Sequence, residues 1–247
     1  MLESLEEPIP DPRISQLSAW EDQQGVNGAN LPKKYLAIDD KTHTQALYVV
    51  KYPRWTGPGL NSSACELICA RIGRGLFAQP VCPPFAVADP LPGKYQRGFG
   101  SKFLEGYECI KLDSTTDVEK VQRLDPATLA RIIIFHVWLA ADDAEILIHE
   151  NGKDAFSIDH GLFLMNWQQD KFQTEIYAAL LAVLDEKNIE SALHELESIE
   201  EERVREAFAR LPDGWVADVK EHELQFLAGA IVQRKFEVRA KMVQMRG

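Results

Sequence analysis

The sequence predicts an α+β fold of two lobes, a β-rich first part and a helical second part. Three observations carry this. Short runs rich in β-branched and aromatic residues, separated by Gly, Pro, Asn and Asp, dominate from about Gly25 to Leu104. Beyond Glu105 the apolar residues mostly recur at helical spacing, with capping and breaking residues at the ends of the runs. Inside the helical part lies one hairpin, EILIHE and DAFSID around the turn NGK, with acids at both ends. The division that follows is an N-terminal arm over 1–24, a β-rich lobe over 25–104 and a helical lobe over 105–247. Two lobes with a cleft between them suit a small ligand.

The bulk properties set outer limits. A chain of 247 residues buries a sizeable core as one large domain or two packed lobes. A net charge of −11 argues against nucleic acid as the main partner, because phosphate binding needs a basic surface. The longest apolar run, RIIIFHVWLAA, is too short for a membrane span and is bounded by charges. The acidic, Pro-bearing N-terminus resembles neither a signal nor a transit peptide, so a cytoplasmic protein with no membrane association is expected. Cys65, Cys69, Cys82 and Cys109 form no C-x-x-C pair and are read as reduced, structural thiols.

The elements follow in order. KYLAID and ALYVVKY read as strands joined by the turn DDKTHTQ, and YPRWTGPGLN as a loop. SSACELICARIGRGLF reads as a helix capped by Ser62 or Ser63, with Glu66 in its first turn. FAVAD and RGFGSKFLEG read as two further strands. PATLARIIIFHVWLAA starts as a helix at an Asp125 cap with Pro126 in the first turn. Leu129, Ile132, Ile133, His136 and Leu139 share one of its faces. After the hairpin, TEIYAALLAVLDEK, NIESALHELESIEEERVREAFARLP and KEHELQFLAGAIVQRKFEVRAKMVQMR read as helices.

Four features stand in the order that phosphoryl transfer requires. GVNGAN, with Gly25 and Gly28, is a glycine turn before a strand, where backbone N–H groups can approach phosphates. Lys51 ends a β-branched strand and needs an anionic partner. Glu66, on the next helix, can supply it. Asp142 and Asp143 follow a helix, Glu145 enters the first hairpin strand and Asp159 leaves the second. The hairpin brings Glu145 and Asp159 to one end, where carboxylates repel unless a cation joins them. Mg²⁺ shared with nucleotide phosphates fits that need. Asp142 or Asp143 would then orient or deprotonate an accepting hydroxyl.

These segments, YVVKYP, NSSACELICARIGRGL, QPVCPPFAV, FGSKFLEG, HVWLAADD and ILIHENGKDAFSIDHGLFL, resemble the HipA-like kinases over roughly Gly25 to Leu164. The resemblance implies the two-lobed protein-kinase-like and phosphoinositide-kinase-like architecture, ATP and Mg²⁺ as ligands, and Ser or Thr of a protein as acceptor. It implies that Lys51 meets the ATP phosphates, that Glu66 fixes Lys51, and that Asp159 binds metal. It further implies that Lys102, Phe103, Leu104 and Glu105 join the lobes beside adenine. Asp143 would be the catalytic-loop Asp, by its distance from Trp138.

The chain departs from that pattern in AADDAEILI. Ala141 stands where the family commonly has Asn, Ala144 replaces an Arg, and Glu145 replaces a metal-binding Asn. The shortened loop leaves the choice between Asp142 and Asp143 open. It also leaves two alternatives to a protein kinase: a pseudokinase serving as a nucleotide-binding interaction module, and a small-molecule kinase. GVNGAN holds no serine, so restraint by phosphorylation of a glycine-loop serine does not transfer. His136 is read as a satisfied core histidine, His160 as a backbone-bonding residue, and Trp55 as equally suited to packing or to contact with a substrate or partner.

Overall fold

The computed structural model describes residues 13–19, 33–39, 45–53, 59–90, 96–112, 115–141, 144–164, 174–217 and 219–246. Five strands close a small barrel in the order β1-β2-β3-β6-β5. They are β1 (Arg13–Ala19), β2 (Lys33–Asp39), β3 (Gln45–Lys51), β5 (Phe85–Ala88) and β6 (Gly98–Lys102). Residues 1–24 read in the sequence as an arm. Instead, Arg13–Ala19 pairs antiparallel with β2 and parallel with β5, closing the barrel. Its polar RISQLSA pattern sits among acids and prolines, and what makes it a strand is the two edges it joins. The two-residue strand β4 (Gly59–Leu60) pairs with β10 (Val216–Ala217) far along the sequence.

Helix α1 (Ser62–Gly75) lies between the barrel and the helices, and Ser62 through Gly73 are buried. Its cap is Asn61, whose side chain accepts from the Ala64 N–H at 2.9 Å, and not Ser62 or Ser63. Both serines are helical, and Glu66 stands beyond the first turn. One face, with Cys65, Ile68, Cys69 and Ile72, joins the large core of the helical lobe. The other, with Ala64, Leu67 and Ala70, packs with Phe85, Val87, Phe99 and Trp215. Burial on both sides explains two cysteines one turn apart without a metal.

A three-stranded sheet of order β7-β8-β9 follows the lobe connection: β7 (Tyr107–Lys111), β8 (Glu145–His149) and β9 (Ala155–Ile158). The expected hairpin is its β8–β9 half. Strand β7 falls where helix is expected, because YECIK buries only Ile110 and carries almost no pattern. The short helix α2 (Thr115–Val121) then leads to α3 (Pro126–Leu139). Asp125 caps α3 and Pro126 fills its first position, as the sequence predicts.

Helices α4 (Thr174–Leu181), α5 (Glu186–Ser198), α6 (Glu201–Ala207) and α7 (Glu221–Arg246) complete the lobe around α3. The single helical run expected over NIESALHELESIEEERVREAFARLP is two helices, broken where Ile199 turns extended. Buried cations cover the exposed carbonyls at three helix C-termini. Lys235 Nζ donates to the Ile199 and Glu197 carbonyls at 2.6 and 3.2 Å. Arg71 donates to those of Ala207 and Ala209, and Arg234 to that of Val137. Trp138 Nε1 donates to the Ile231 carbonyl at 2.8 Å, pinning the 26-residue α7 to α3. Among the described residues no helix is long and apolar enough to cross a membrane.

Candidate functional site: a lysine held by two carboxylates

Lys51 closes strand β3 opposite Phe99 of β6, and its side chain reaches the carboxylates of Glu66 on α1 and Asp159 after β9. Its Nζ donates to Glu66 Oε1 at 2.9 Å and to Asp159 Oδ1 at 2.7 Å. The three residues come from β3, α1 and the end of β9. The Lys51 side chain is 17% exposed, Glu66 3% and Asp159 34%, so the ion triad opens to solvent on the Asp159 side. Burial works against the lysine's charge, but Glu66 and Asp159 outweigh it and hold the ammonium's pKa well above the ordinary lysine range. Burial alone would push the Glu66 carboxyl up. Lys51 and His160 reverse that and keep it well below the usual carboxylate range.

The turn after β9 is built differently from what Asp-His-Gly suggests. The residue in the left-handed region is Asp159, at φ +58°, and not Gly161. Asp accepts that conformation more readily than most residues, and the local strain turns its carboxylate out of the strand. Gly161 sits close to α1: a Cβ there would lie 3.2 Å from the Ser62 Cβ, tighter than most such contacts. Asp159 and α1 are thereby held together, and the His160 N–H donates to Glu66 Oε2 at 3.0 Å. Ser63 Oγ donates to the Lys51 carbonyl at 3.4 Å. On the barrel side, a Cβ on Gly98 would meet Val50 Cγ1 at 2.8 Å and the Lys51 carbonyl at 3.1 Å, so only glycine lets β6 lie this close to Lys51.

Glu145 lies opposite Ile158 in the β8–β9 register, one residue before Asp159. Its Oε2 accepts from Cys109 Sγ at 3.5 Å. Desolvation and the Glu145 carboxylate push the Cys109 thiol up to about 12, with Asp159 adding to the effect and Lys51 opposing it. The four groups therefore share one electrostatic neighbourhood. Cys109 is exposed, unlike the three other thiols, and sequence reasoning missed its place because β7 was not legible as a strand. Among the described residues no three His, Cys, Asp or Glu side chains gather as a metal cage. Two neighbouring carboxylates instead suit Mg²⁺, which commonly takes one or two carboxylates and completes its shell with phosphate and water.

Lys102 to Glu105 run from the end of β6 to the start of β7. The Phe103 N–H donates to the Leu47 carbonyl at 2.8 Å, and the Lys102 N–H to the Pro84 carbonyl at 2.7 Å. Lys34 Nζ lies 4.0 Å from the centre of the Phe103 ring. Gly25, Gly28, Asp142, Asp143 and Trp55 lie outside the described residues. What precedes the two aspartates is described. Ala140 ends α3 at φ +55°, and the N–H groups of Ala140 and Ala141 both reach the His136 carbonyl. Ala141 and Ala144, flanking the pair, are 2% and 5% exposed.

His136 and His160 have more partners than their sequence contexts suggest. His136 Nε2 lies 2.6 Å from Ser157 Oγ, which lies 2.9 Å from His160 Nε2. Tyr177 OH lies 2.8 Å from His136 Nδ1. Burial and His160 push the His136 imidazole down to about 3.

No protein-family model matches the chain, and no curated protein matches it. Among solved structures it is similar to the proinflammatory kinase CtkA of Helicobacter pylori, with a TM-score of 0.54 at 14% identity, over 95% of this chain and 98% of that one. It also aligns with the PAN3 pseudokinase of Neurospora crassa, with a TM-score of 0.36 at 13% identity, over 99% of this chain and 68% of that one. PAN3 in its complex with PAN2 from the same organism aligns with a TM-score of 0.34 at 15% identity, over 99% of this chain and 67% of that one. The likeness to CtkA extends over both lobes, and the chain has the two-lobed protein-kinase-like fold.

Proposed function

We propose that the chain binds ATP with Mg²⁺ in the cleft marked by Lys51 and transfers the γ-phosphoryl group to a hydroxyl, with Ser or Thr of a protein as acceptor, in the manner of the HipA-like kinases. The observation that carries this reading is the ion triad of Lys51, Glu66 and Asp159, assembled from residues 15 and 108 positions apart. A fixed ammonium between a buried glutamate and a half-open aspartate is what phosphate binding beside a metal requires.

The chain's own residues then divide the work. Lys51 stays cationic and presents its charge to phosphate oxygens. Glu66, buried and ionised, fixes the ammonium by one oxygen. Asp159 and Glu145 would hold Mg²⁺, which supplies charge neutralisation at the phosphates when bound. Leu104 and Glu105 offer backbone groups to adenine, because the Phe103 N–H is committed to Leu47. Asp143 or Asp142 orients the accepting hydroxyl from the loop that Ala140 turns out of α3.

A second reading, nucleotide binding without transfer, is favoured by the buried alanines on either side of Asp142 and Asp143. They leave the loop without the polar side chains that steady such aspartates. Incubation with Mg²⁺-ATP, followed by mass spectrometry for phosphate on the chain and on added protein, separates the two. Phosphate incorporation that disappears in Lys51→Met supports transfer. Mg²⁺-dependent binding with no incorporation and no ATP consumption supports the pseudokinase. Absence of both, in folded protein, sinks each reading.

A further inference from the structure

The Lys51 site is tied to the interior of the helical lobe by a line of buried polar groups that phosphate binding does not itself use. Tyr177 on α4, His136 on α3, Ser157 on β9 and His160 after β9 are all at most 2% exposed. Their successive separations are 2.8, 2.6 and 2.9 Å. At the far end His160 Nδ1, which has no hydrogen-bond partner among the described residues, faces Glu66 Oε2 at 3.4 Å. The edges and faces of Phe135 and Phe163 pack against the two imidazoles, with ring centres 4.9 to 6.0 Å away. Five polar groups in an otherwise apolar core are costly unless each donor meets an acceptor.

Only certain arrangements of protons satisfy the line. Glu66 is ionised and accepts only, so the ring nitrogen facing it must carry a proton, or two lone pairs oppose each other. With one proton on His160, its Nε2 is an acceptor, and Ser157 O–H at 2.9 Å, closer than the Cys82 thiol at 3.9 Å, is the donor that meets it. Ser157 Oγ then accepts from His136, whose single proton lies on Nε2. His136 Nδ1 is left as an acceptor, and Tyr177 O–H donates to it. Burial pushes the Tyr177 phenol far up, so it keeps that proton, and His136 is held neutral.

We propose that Tyr177, His136, Ser157 and His160 form a positioning relay for Glu66, with donors running in one direction: Tyr177 O–H to His136 Nδ1, His136 Nε2–H to Ser157, Ser157 O–H to His160 Nε2, and a proton on His160 Nδ1 facing Glu66 Oε2 across 3.4 Å. Glu66 is then held on both oxygens, Oε1 by Lys51 and Oε2 by the His160 backbone N–H, with the His160 ring proton facing Oε2 as an electrostatic contact. The two imidazoles take opposite tautomers, fixed by the carboxylate at one end and the phenol at the other. None of the four touches nucleotide; they act through Glu66 on Lys51. Their role in turnover rests on the phosphotransfer reading above, whereas the proton order does not.

The test is a two-bond ¹H–¹⁵N correlation spectrum of the full chain labelled with ¹⁵N-histidine and free of nucleotide. His136→Gln and His160→Gln identify the two rings by loss of their signals. Should either variant fail to fold, the near-isosteric Tyr177→Phe identifies His136 by the shift of its Nδ1 resonance. The expected spectrum shows His160 protonated at Nδ1 and His136 at Nε2. His136 protonated at Nδ1, His160 protonated at Nε2, or averaging between tautomers at either ring overturns the relay. In Tyr177→Phe, His136 loses its fixed tautomer while the volume is kept, and kcat falls by about two- to tenfold, the worth of one hydrogen bond, with KM for ATP held within twofold. A rise in KM at constant kcat overturns the positioning role. If the tautomers stand as stated and Mg²⁺-ATP does not bind, the functional reading fails and the relay remains.

Discussion

The barrel and the helical lobe differ most in what fills them. Among the described residues the barrel's own cluster holds Tyr35, Tyr48, Val50, Ala86 and Ala88, while Phe85, Val87 and Phe99 of its strands pack with α1 and Trp215. The helical lobe has one continuous core that runs from α1 through α3 to α7 and includes Trp138, Phe135 and Met242. Lys51 belongs to the barrel, and its carboxylate partners reach it from outside the barrel sheet: Glu66 from α1, which packs both on barrel strands and on the helical core, and Asp159 from the end of β9. The difference teaches that the lysine's position is set less by its strand than by what reaches it from α1 and from the helical lobe. The barrel delivers the charge, and α1 together with the helical lobe fixes where it points.

That comparison is broken most directly in the cores. Phe135→Ala should cost about 3–5 kcal/mol in denaturant unfolding, because a large side chain leaves a void that packed helices cannot close. Val50→Ala, in the barrel, should cost about 1.5–3 kcal/mol, the worth of burying a valine side chain. Losses well below these values would contradict the complete burial of both side chains. Next in size, Lys51→Met leaves Glu66 charged and buried with its main partner gone. Stability should fall by about 3 kcal/mol, the scale for half of a broken buried pair. Lys51→Met with Glu66→Gln should recover most of that loss, and additive losses would show that the pair is not coupled.

A pH titration sharpens the picture of the buried interior. His136 is pushed down to about 3 in the folded chain, against an ordinary value of 6.5. Below pH 6.5 the unfolded chain binds a proton that the folded chain refuses, so stability is complete above 6.5 and declines as the pH falls toward 3. Between pH 6.5 and 5 the loss should be about 2 kcal/mol, at about 1.4 kcal/mol per unit, and should vanish from the slope in His136→Gln. The smallest effect is local. Ala140 holds a left-handed conformation at the end of α3, and Ala140→Gly should raise stability by about 1 kcal/mol in the same unfolding measurement.

The triad was legible in the sequence because each member carries a local signal. Lys51 ends a β-branched strand, Glu66 sits on the helix that follows, and Asp159 leaves a hairpin. What was not legible depends on contacts between distant segments. Strand β1 exists because two barrel edges close over it, and YECIK becomes β7 because β8 offers a partner in register. Asn61 looked like the end of a loop, yet one position separates it from the serines that seemed better caps. His136 read correctly as a core histidine, but nothing in IIIFHVWLAA indicates that Ser157 and Tyr177 stand on either side of its ring. The relay is a property of three elements meeting, and only the fold brings them together.

The measurement closest to the central claim is calorimetric titration of ATP, with and without Mg²⁺, into the wild-type chain and into Asp159→Asn. Asparagine also tolerates the left-handed backbone at this position, so the substitution removes charge and spares the turn. The expected result is binding that needs Mg²⁺ in the wild type and is lost in Asp159→Asn, with both proteins folded. Binding that is indifferent to Mg²⁺ and to Asp159, or no binding to the folded wild type, would contradict a nucleotide site built on Lys51, Glu66 and Asp159.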